Sequence, residues 1–249
     1  MGTPIAVIRI FKMGIQLFLN EQYLSYQVRQ SVEWQPEKAP HAVIFGATGS
    51  GKTYATKLML GRISLHISNS QIYVCDYKGD EDFSFLSGIS RFYRFQDCSK
   101  GLENFFKRFQ DRQSGLDISR NMIILYFDEW ASYCNNLEKK VAEEEKRKLA
   151  TLLMLGRSFH VHVIIAQQRV DAVYFNSARD NFNLVIGLGN LSQESKDMLF
   201  HEFKDQMKPD RKQGTGYMLT NGADFTPIQV PTINDREKLH KYIKMAVTR

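Results

Sequence analysis

Residues 46–53 read GATGSGKT, three glycines leading into Lys52 and Thr53. Without Cβ clashes, glycine backbones curl so that successive N–H groups converge on a phosphate. The spacing Gly46-x-x-x-x-Gly51-Lys52-Thr53 is the Walker A pattern, with Gly46, Ala47, Thr48, Gly49, Ser50 and Gly51 as the cradle. In that pattern Lys52 reaches the β and γ phosphates of ATP, and Thr53 holds Mg²⁺. An ordinary glycine turn has the same letters. What separates the two is context: here a short apolar run precedes the glycines and a helical spacing follows them.

Further along, ILYFDEW places Asp128 and Glu129 at the end of an apolar run. If that run is a strand of a doubly wound sheet, its C-terminal end faces the ligand crevice. Asp128 is then the Walker B carboxylate that takes Mg²⁺ through water, and Glu129 polarises the attacking water. Acidic residues also end strands because the chain meets solvent there, so the pair gains its meaning from trailing a Walker A loop. Gln167 and Gln168 close the next apolar run, IIAQQR. A neutral polar side chain at that point can hold the lytic water or sense the γ phosphate, and the two-residue period of a strand does not choose between them. Arg157 precedes that run. It is a finger towards a neighbouring subunit, worth roughly 10³ to 10⁵ in turnover, or a plain charge at a helix C-terminus.

These residues need a scaffold, and the patterning supplies one. Residues 1–40 alternate like strands, at 5–8 and again at 15–19, and Pro36 and Pro40 break the pattern. Short apolar runs at 42–46, 71–76, 121–130, 160–169 and 183–189 read as buried parallel strands. Between them lie helical spacings: 54–63, an amphipathic 101–113 with Leu102, Phe105, Phe106 and Phe109 on one side, and 137–157. The charge run in 137–157 reads as a solvated helix face. Residues 192–203 read as one helix, 214–220 and 225–230 as a closing pair of strands, and the C-terminus as a last helix. Strands alternating with helices predict an α/β fold: a P-loop NTPase with a mainly parallel, RecA-like sheet flanked by helices, and a short N-terminal β segment. The expected division is residues 1–39 for the β-rich segment and 40–249 for the nucleotide-binding domain.

Composition narrows the function classes. The 249 residues are 43% hydrophobic and 24% charged, which is ordinary for a folded domain and excludes wholesale disorder. No apolar run is long enough to span a bilayer. Arg9 and Lys12 interrupt the apolar N-terminus, and no small-residue cleavage site follows, which argues against a signal peptide. Cys75, Cys98 and Cys134 are odd in number and form no CxxC pair, so neither a zinc site nor a disulfide framework is indicated and a reducing cytoplasm is expected. His160 and His162 share a strand face with no third ligand nearby and read as structural. The net charge of +6 suits a polyanionic partner without requiring one.

The order of motifs resembles one family: the motor domain of FtsK/SpoIIIE-type DNA translocases, within the HerA–FtsK group of P-loop ATPases. The resemblance rests on PHAVIFGATGSGKT (40–53), CDYKGDEDFSFL (75–86), IILYFDEWASY (123–133), GRSFHVHVIIAQQRVDAV (156–173), ARDNFNLVIGLGNLSQESKDMLF (178–200) and the late glycine turn KQGTGYML (212–219). It implies ATP hydrolysis, with Mg²⁺, in a ring that is usually a hexamer around double-stranded DNA. It assigns phosphate and metal roles to Lys52 and Thr53, and the Walker B roles to Asp128 and Glu129. The strand-end glutamine becomes Gln168 rather than Gln167, and Arg157 becomes a finger acting across subunits.

The chain also departs from the family's pattern. AQQRV stands where the family has a TQRP-like ending, and neither a transmembrane N-terminal domain nor a winged-helix extension is evident. A motor of this size resembles the FtsK-like ATPases of conjugative elements, plasmids or phages, which are expected in the cytoplasm with a relaxase or membrane-anchored partner. Lys78, Arg169 and Arg179 are the candidate DNA contacts. Two alternatives keep part of this picture: an FtsK-like ATPase that powers protein secretion, and a slowly hydrolysing, nucleotide-gated assembly subunit.

Overall fold

A computed structural model describes residues 14–249; the strand expected at residues 5–8 lies outside the described residues. In chain order the elements are β1 (Ile15–Asn20), α1 (Glu21–Leu24), β2 (Ser31–Trp34), β3 (Ala42–Phe45), α2 (Lys52–His66), β4 (Gln71–Asp76), β5 (Phe92–Arg94) and α3 (Cys98–Gln113). Then follow β6 (Ile123–Asp128), α4 (Trp130–Asn135), α5 (Lys139–Leu155), β7 (Val161–Gln167), β8 (Leu184–Leu188), α6 (Gln193–Leu199), β9 (Thr215–Thr220), β10 (Asp224–Gln229) and α7 (Arg236–Thr248). Short 3-10 turns fill several of the connections.

All ten strands join one sheet in the order β2-β1-β10-β9-β8-β3-β7-β6-β4-β5. From β8 to β5 every pairing is parallel. From β8 to β2 every pairing is antiparallel. The parallel part is the one the all-apolar runs predict, because strands covered on both faces have no polar side to show. β3 is the clearest case: its four residues are buried, Ala42 and Ile44 facing one core and Val43 and Phe45 the other. On the first face α2 and α7 cover the sheet, with Leu58, Met59, Ile63, Ile243 and Val247 inside. On the second face α3, α4 and α5 do so, with Leu102, Phe105, Phe109, Trp130 and Leu153 inside. The aromatics of α3 are therefore core: Phe105 stands edge-on to Tyr73, with ring centroids 5.2 Å apart.

Several expectations change here. The single helix expected over 192–203 is two pieces, α6 and a 3-10 turn from His201 to Gln206. Phe200 breaks it, because its ring is buried between Phe45, Tyr217 and Phe225 and its backbone leaves the helical region to put it there. The charge run of α5 is not wholly solvated. Glu145 is buried, accepting from the Tyr133 hydroxyl at 2.8 Å and pairing with Lys148 at 2.9 Å. Lys146 lies over the Tyr174 ring. The short edge strand β5 has no periodicity to announce it and follows from β4 offering a free edge. Cys75, Cys98 and Cys134 are buried and free.

Candidate active site

In a parallel sheet the C-terminal ends of the strands open onto the crevice, and the candidate residues gather there. The loop after β3 enters α2 through Gly46, Gly49 and Gly51, all at positive φ. Its conformation is braced by the end of β8 and by the turn that leads into β9. A Cβ on Gly46 would collide with the Leu188 carbonyl, and the Gly214 N–H donates to the Ser50 carbonyl at 3.0 Å. The late glycine turn at 212–216 thus acts as a prop beneath the phosphate loop.

α2 begins at Lys52 with Gly51 as its N-cap, and no side chain caps it. The first N–H groups of a helix have no partner within the helix, and Lys52 and Thr53, which carry the first of them, border the cleft at the positive end of the dipole. That is a cradle for an anion. The Lys52 Nζ donates to the carbonyls of Gly46 at 2.8 Å and Ala47 at 3.2 Å. Burial lowers its pKa, and Glu129 and Asp128 oppose the shift.

β6 ends at Asp128, which is buried and borders the cleft. The Tyr126 hydroxyl donates to its Oδ1 at 3.0 Å and so fixes the carboxylate's orientation. Burial, then the neighbouring Glu129, push the Asp128 pKa up to about 7. A buried carboxyl that is costly to ionise alone gains most from a cation. Thr53 and Asp128 are oxygen donors of the kind Mg²⁺ shares with substrate phosphates, rather than a closed protein cage. No group of three or more His, Cys, Asp or Glu that could hold a metal by itself occurs among the described residues.

Glu129 turns the corner from β6 to α4 with φ +54, a left-handed conformation that costs a non-glycine residue on the order of 1 kcal/mol. Its N–H donates to the Ala166 carbonyl at 2.7 Å and its carbonyl accepts from Tyr133 at 3.0 Å, which holds the strained turn. Burial raises its pKa, and Lys52 and Lys78 work against that. Gln168, just past β7, is exposed and borders the cleft. Gln167 is fully buried, its Oε1 accepting from the Ala131 N–H at 3.2 Å.

The cleft has a volume of about 900 Å³ and brings together Thr48, Gly49, Gly51, Lys52, Thr53, Asp128, Glu129 and Gln168. Arg157 is not among them. It is exposed on the turn before β7, at the opposite end of the parallel strands, roughly 20 Å away by strand length. Of the candidate DNA contacts, Lys78 borders this same cleft. Arg169 is held by Asp171 at 3.1 Å and Glu194 at 2.8 Å. Arg179 is mostly buried beside Asp180.

Three lining groups had no signal in the sequence: Gln213 from the late glycine turn, Phe95 with Gln96 after β5, and Arg236 with His240 on α7. The last pair arrives because α7 packs along α2. The Tyr54 hydroxyl accepts from the Ile233 N–H, and Leu239 packs against Gly61, where a Cβ would collide. Tertiary packing alone puts a residue from the end of the chain over the phosphate helix.

Comparison with known proteins bears on this geometry. No family model matches the chain. A curated relative, the FtsK domain-containing protein YdcQ of Bacillus subtilis (strain 168), is 26% identical over 204 residues, which is 75% of this chain and 42% of the relative. The motifs at 40–220 and the parallel sheet now stand beside that match. The fold is that of P-loop ATPases, and the sequence is similar to an FtsK domain. The chain superposes on the pCW3 conjugation coupling protein TcpA, solved as a monomer with ATPγS, with TM-score 0.70 and 17% identity over 97% of this chain and 73% of that one. It also matches the cytoplasmic domain of the Thermomonospora curvata type VII secretion ATPase EccC, with TM-score 0.68 and 16% identity over 94% of this chain and 30% of that one. The chain spans less than half the length of the curated relative it matches. No helix among its described residues is long and apolar enough to cross a membrane.

Proposed function

We propose that this domain hydrolyses ATP to move double-stranded DNA, as one subunit of a ring, in a conjugative element, plasmid or phage. The observation that carries the reading is the one cleft in which the N-terminus of α2, Lys52, Asp128, Glu129 and Gln168 converge. The loop N–H groups and Lys52 hold the β and γ phosphates. Thr53 and Asp128 would hold Mg²⁺, which when bound offsets the phosphate charge. Glu129 orients a water in line with the γ phosphorus and accepts its proton as the bond to the β–γ bridging oxygen breaks. Gln168 donates to that water or to the γ phosphate.

Arg157, at the opposite end of the parallel strands from the cleft, acts in the cleft of a neighbouring copy. That placement suits a head-to-tail contact, the kind that closes into rings, and we infer a hexamer. DNA as cargo draws support from the conjugation coupling protein among the structural neighbours. The secretion ATPase EccC supports a second reading in which the same motor drives a protein. A relaxase or membrane-anchored partner in the cytoplasm fits either. The deciding experiment measures ATP turnover with and without double-stranded DNA over a salt series, with particle size followed alongside. DNA contacts made through phosphates weaken steeply with salt. Stimulation at low salt that fades at high salt is expected; no binding and no stimulation at low salt rules the DNA reading out.

A further inference from the structure

The turn after β4 is gripped more firmly than an exposed connection needs. Asp76 is fully buried at the end of β4, in register with Asp128 on β6. Its Oδ1 accepts from the Gly79 N–H at 2.9 Å, and the Arg94 Nε lies 3.6 Å from its Oδ2. The Arg94 Nη2 donates to the carbonyls of Gly79 and of Asp80, the latter at 2.9 Å. Gly79 has φ +66, and a Cβ there would collide with the Phe95 ring, over which the Arg94 guanidinium lies at 5.0 Å. A carboxylate below, a guanidinium across the carbonyls and a ring against the glycine thus fix one conformation.

The residue this turn presents is Lys78. Its side chain is 57% exposed, borders the nucleotide cleft and feels the charges of Asp128 and Glu129. Its ion-pair partner is the Asp80 carboxylate at 2.9 Å. An exposed pair of this kind contributes little, so exchanging it for another anion costs little.

We propose that Lys78 is a second phosphate-binding cation of the cleft, directed at the terminal phosphate, and that Asp76 and Arg94 are its positioning residues. The proposal rests on the ATP-binding reading of the cleft. Lys52 approaches the nucleotide from the loop. Lys78 approaches from the β4 side, where Asp128 and Glu129 mark the end at which water attacks. A γ phosphate draws Lys78 away from Asp80, and a diphosphate ends short of it. The turn therefore distinguishes the triphosphate from the diphosphate state.

Calorimetric titration of wild type, Lys78→Ala, Lys78→Arg and Arg94→Ala with ATPγS and with ADP tests this. Losing a charge-assisted phosphate contact should weaken ATPγS binding by roughly ten- to hundredfold in Lys78→Ala, with ADP changed by less than about twofold. Lys78→Arg should keep most of the preference. Arg94→Ala should lose it while its ADP affinity stays, a selectivity that general destabilisation does not produce. Equal losses for both nucleotides, or no loss for ATPγS, overturn the proposal. So does Lys78→Ala losing DNA binding in the absence of nucleotide with both nucleotide affinities intact. If wild type binds neither nucleotide, the ATPase reading itself falls and takes this proposal with it.

Discussion

Gln167 and Gln168, adjacent in sequence, do opposite work at the end of β7: Gln167 points inward and ties the start of α4 to the strand through Ala131, while Gln168 faces the cleft. The strand period dictates that neighbours point apart, and the corner at Glu129 dictates which one is inside. Gln168→Ala should lower turnover about tenfold or more with little change in stability. Gln167→Ala leaves the partly buried Ala131 N–H without its side-chain partner and should cost about 1 kcal/mol in urea denaturation. Steady-state kinetics beside denaturation curves separate the two, and equal effects on turnover would contradict the assignment.

Glu129→Gln keeps the shape of the corner and removes the proton acceptor. ATP affinity should remain close to wild type while hydrolysis falls by roughly a hundredfold or more. Single-turnover kinetics with a parallel binding titration measure both. Wild-type turnover would remove Glu129 from the role of base.

Arg157 stands too far from its own cleft to act there. Arg157→Ala and Lys52→Ala should each be inactive alone, yet regain part of the activity when mixed, because some interfaces then pair an intact loop with an intact arginine. A titration of mixing ratios reads this directly, and flat inactivity across all ratios argues against action in trans.

The phosphate loop makes a prediction about folding as well as binding. A Cβ at Gly46 would strike the Leu188 carbonyl, whereas one at Gly49 would meet open space. Gly46→Ala should therefore lose roughly 2–3 kcal/mol through overpacking and strain. Gly49→Ala, at φ +80, should lose about 1 kcal/mol from backbone strain alone. Thermal melts of the two variants rank the sites.

His41 and His162 give the fold a pH dependence. The His162 Nδ1–H donates to the Pro40 carbonyl at 2.8 Å, and the His41 Nδ1 accepts from the Val163 N–H at 3.1 Å, a bond that only the neutral His41 ring can make. Burial lowers their pKa values from 6.5 to about 4 for His162 and about 3 for His41, where the other ring adds to the effect. For His162 the Pro40 carbonyl opposes the shift. The unfolded chain therefore takes up protons below 6.5 that the folded chain refuses, and stability falls as pH drops through that window. At pH 5 the loss is roughly 2 kcal/mol for each histidine. Asp128, pushed up to about 7, works in the opposite direction over the same window, so the histidine share is read from variants: between pH 7 and pH 5 in urea, His162→Asn should lose roughly 2 kcal/mol less stability than wild type.

How much of this was legible beforehand depends on the range of the forces involved. The chain order alone determined the phosphate loop, the Asp128–Glu129 pair, the five parallel strands and the helices between them. Glycine spacing and apolar periodicity are local, and the backbone reads them without help. The antiparallel extension, in which β9 and β10 bridge the parallel strands to β1 and β2, was decided by edge pairing between segments some 200 residues apart. Burial of Glu145 within a charged helix depended on Tyr133 arriving from α4. The break at Phe200 depended on a ring cluster drawn from three other strands and turns. Above all, the walls of the cleft were a tertiary result. Lys78 faces it because Asp76 and Arg94 pin one turn, and Arg236 and His240 reach it because α7 packs on α2. No short-range pattern encodes which side chains a packed helix or a clamped turn delivers to a distant loop; shape complementarity across the sheet decides that.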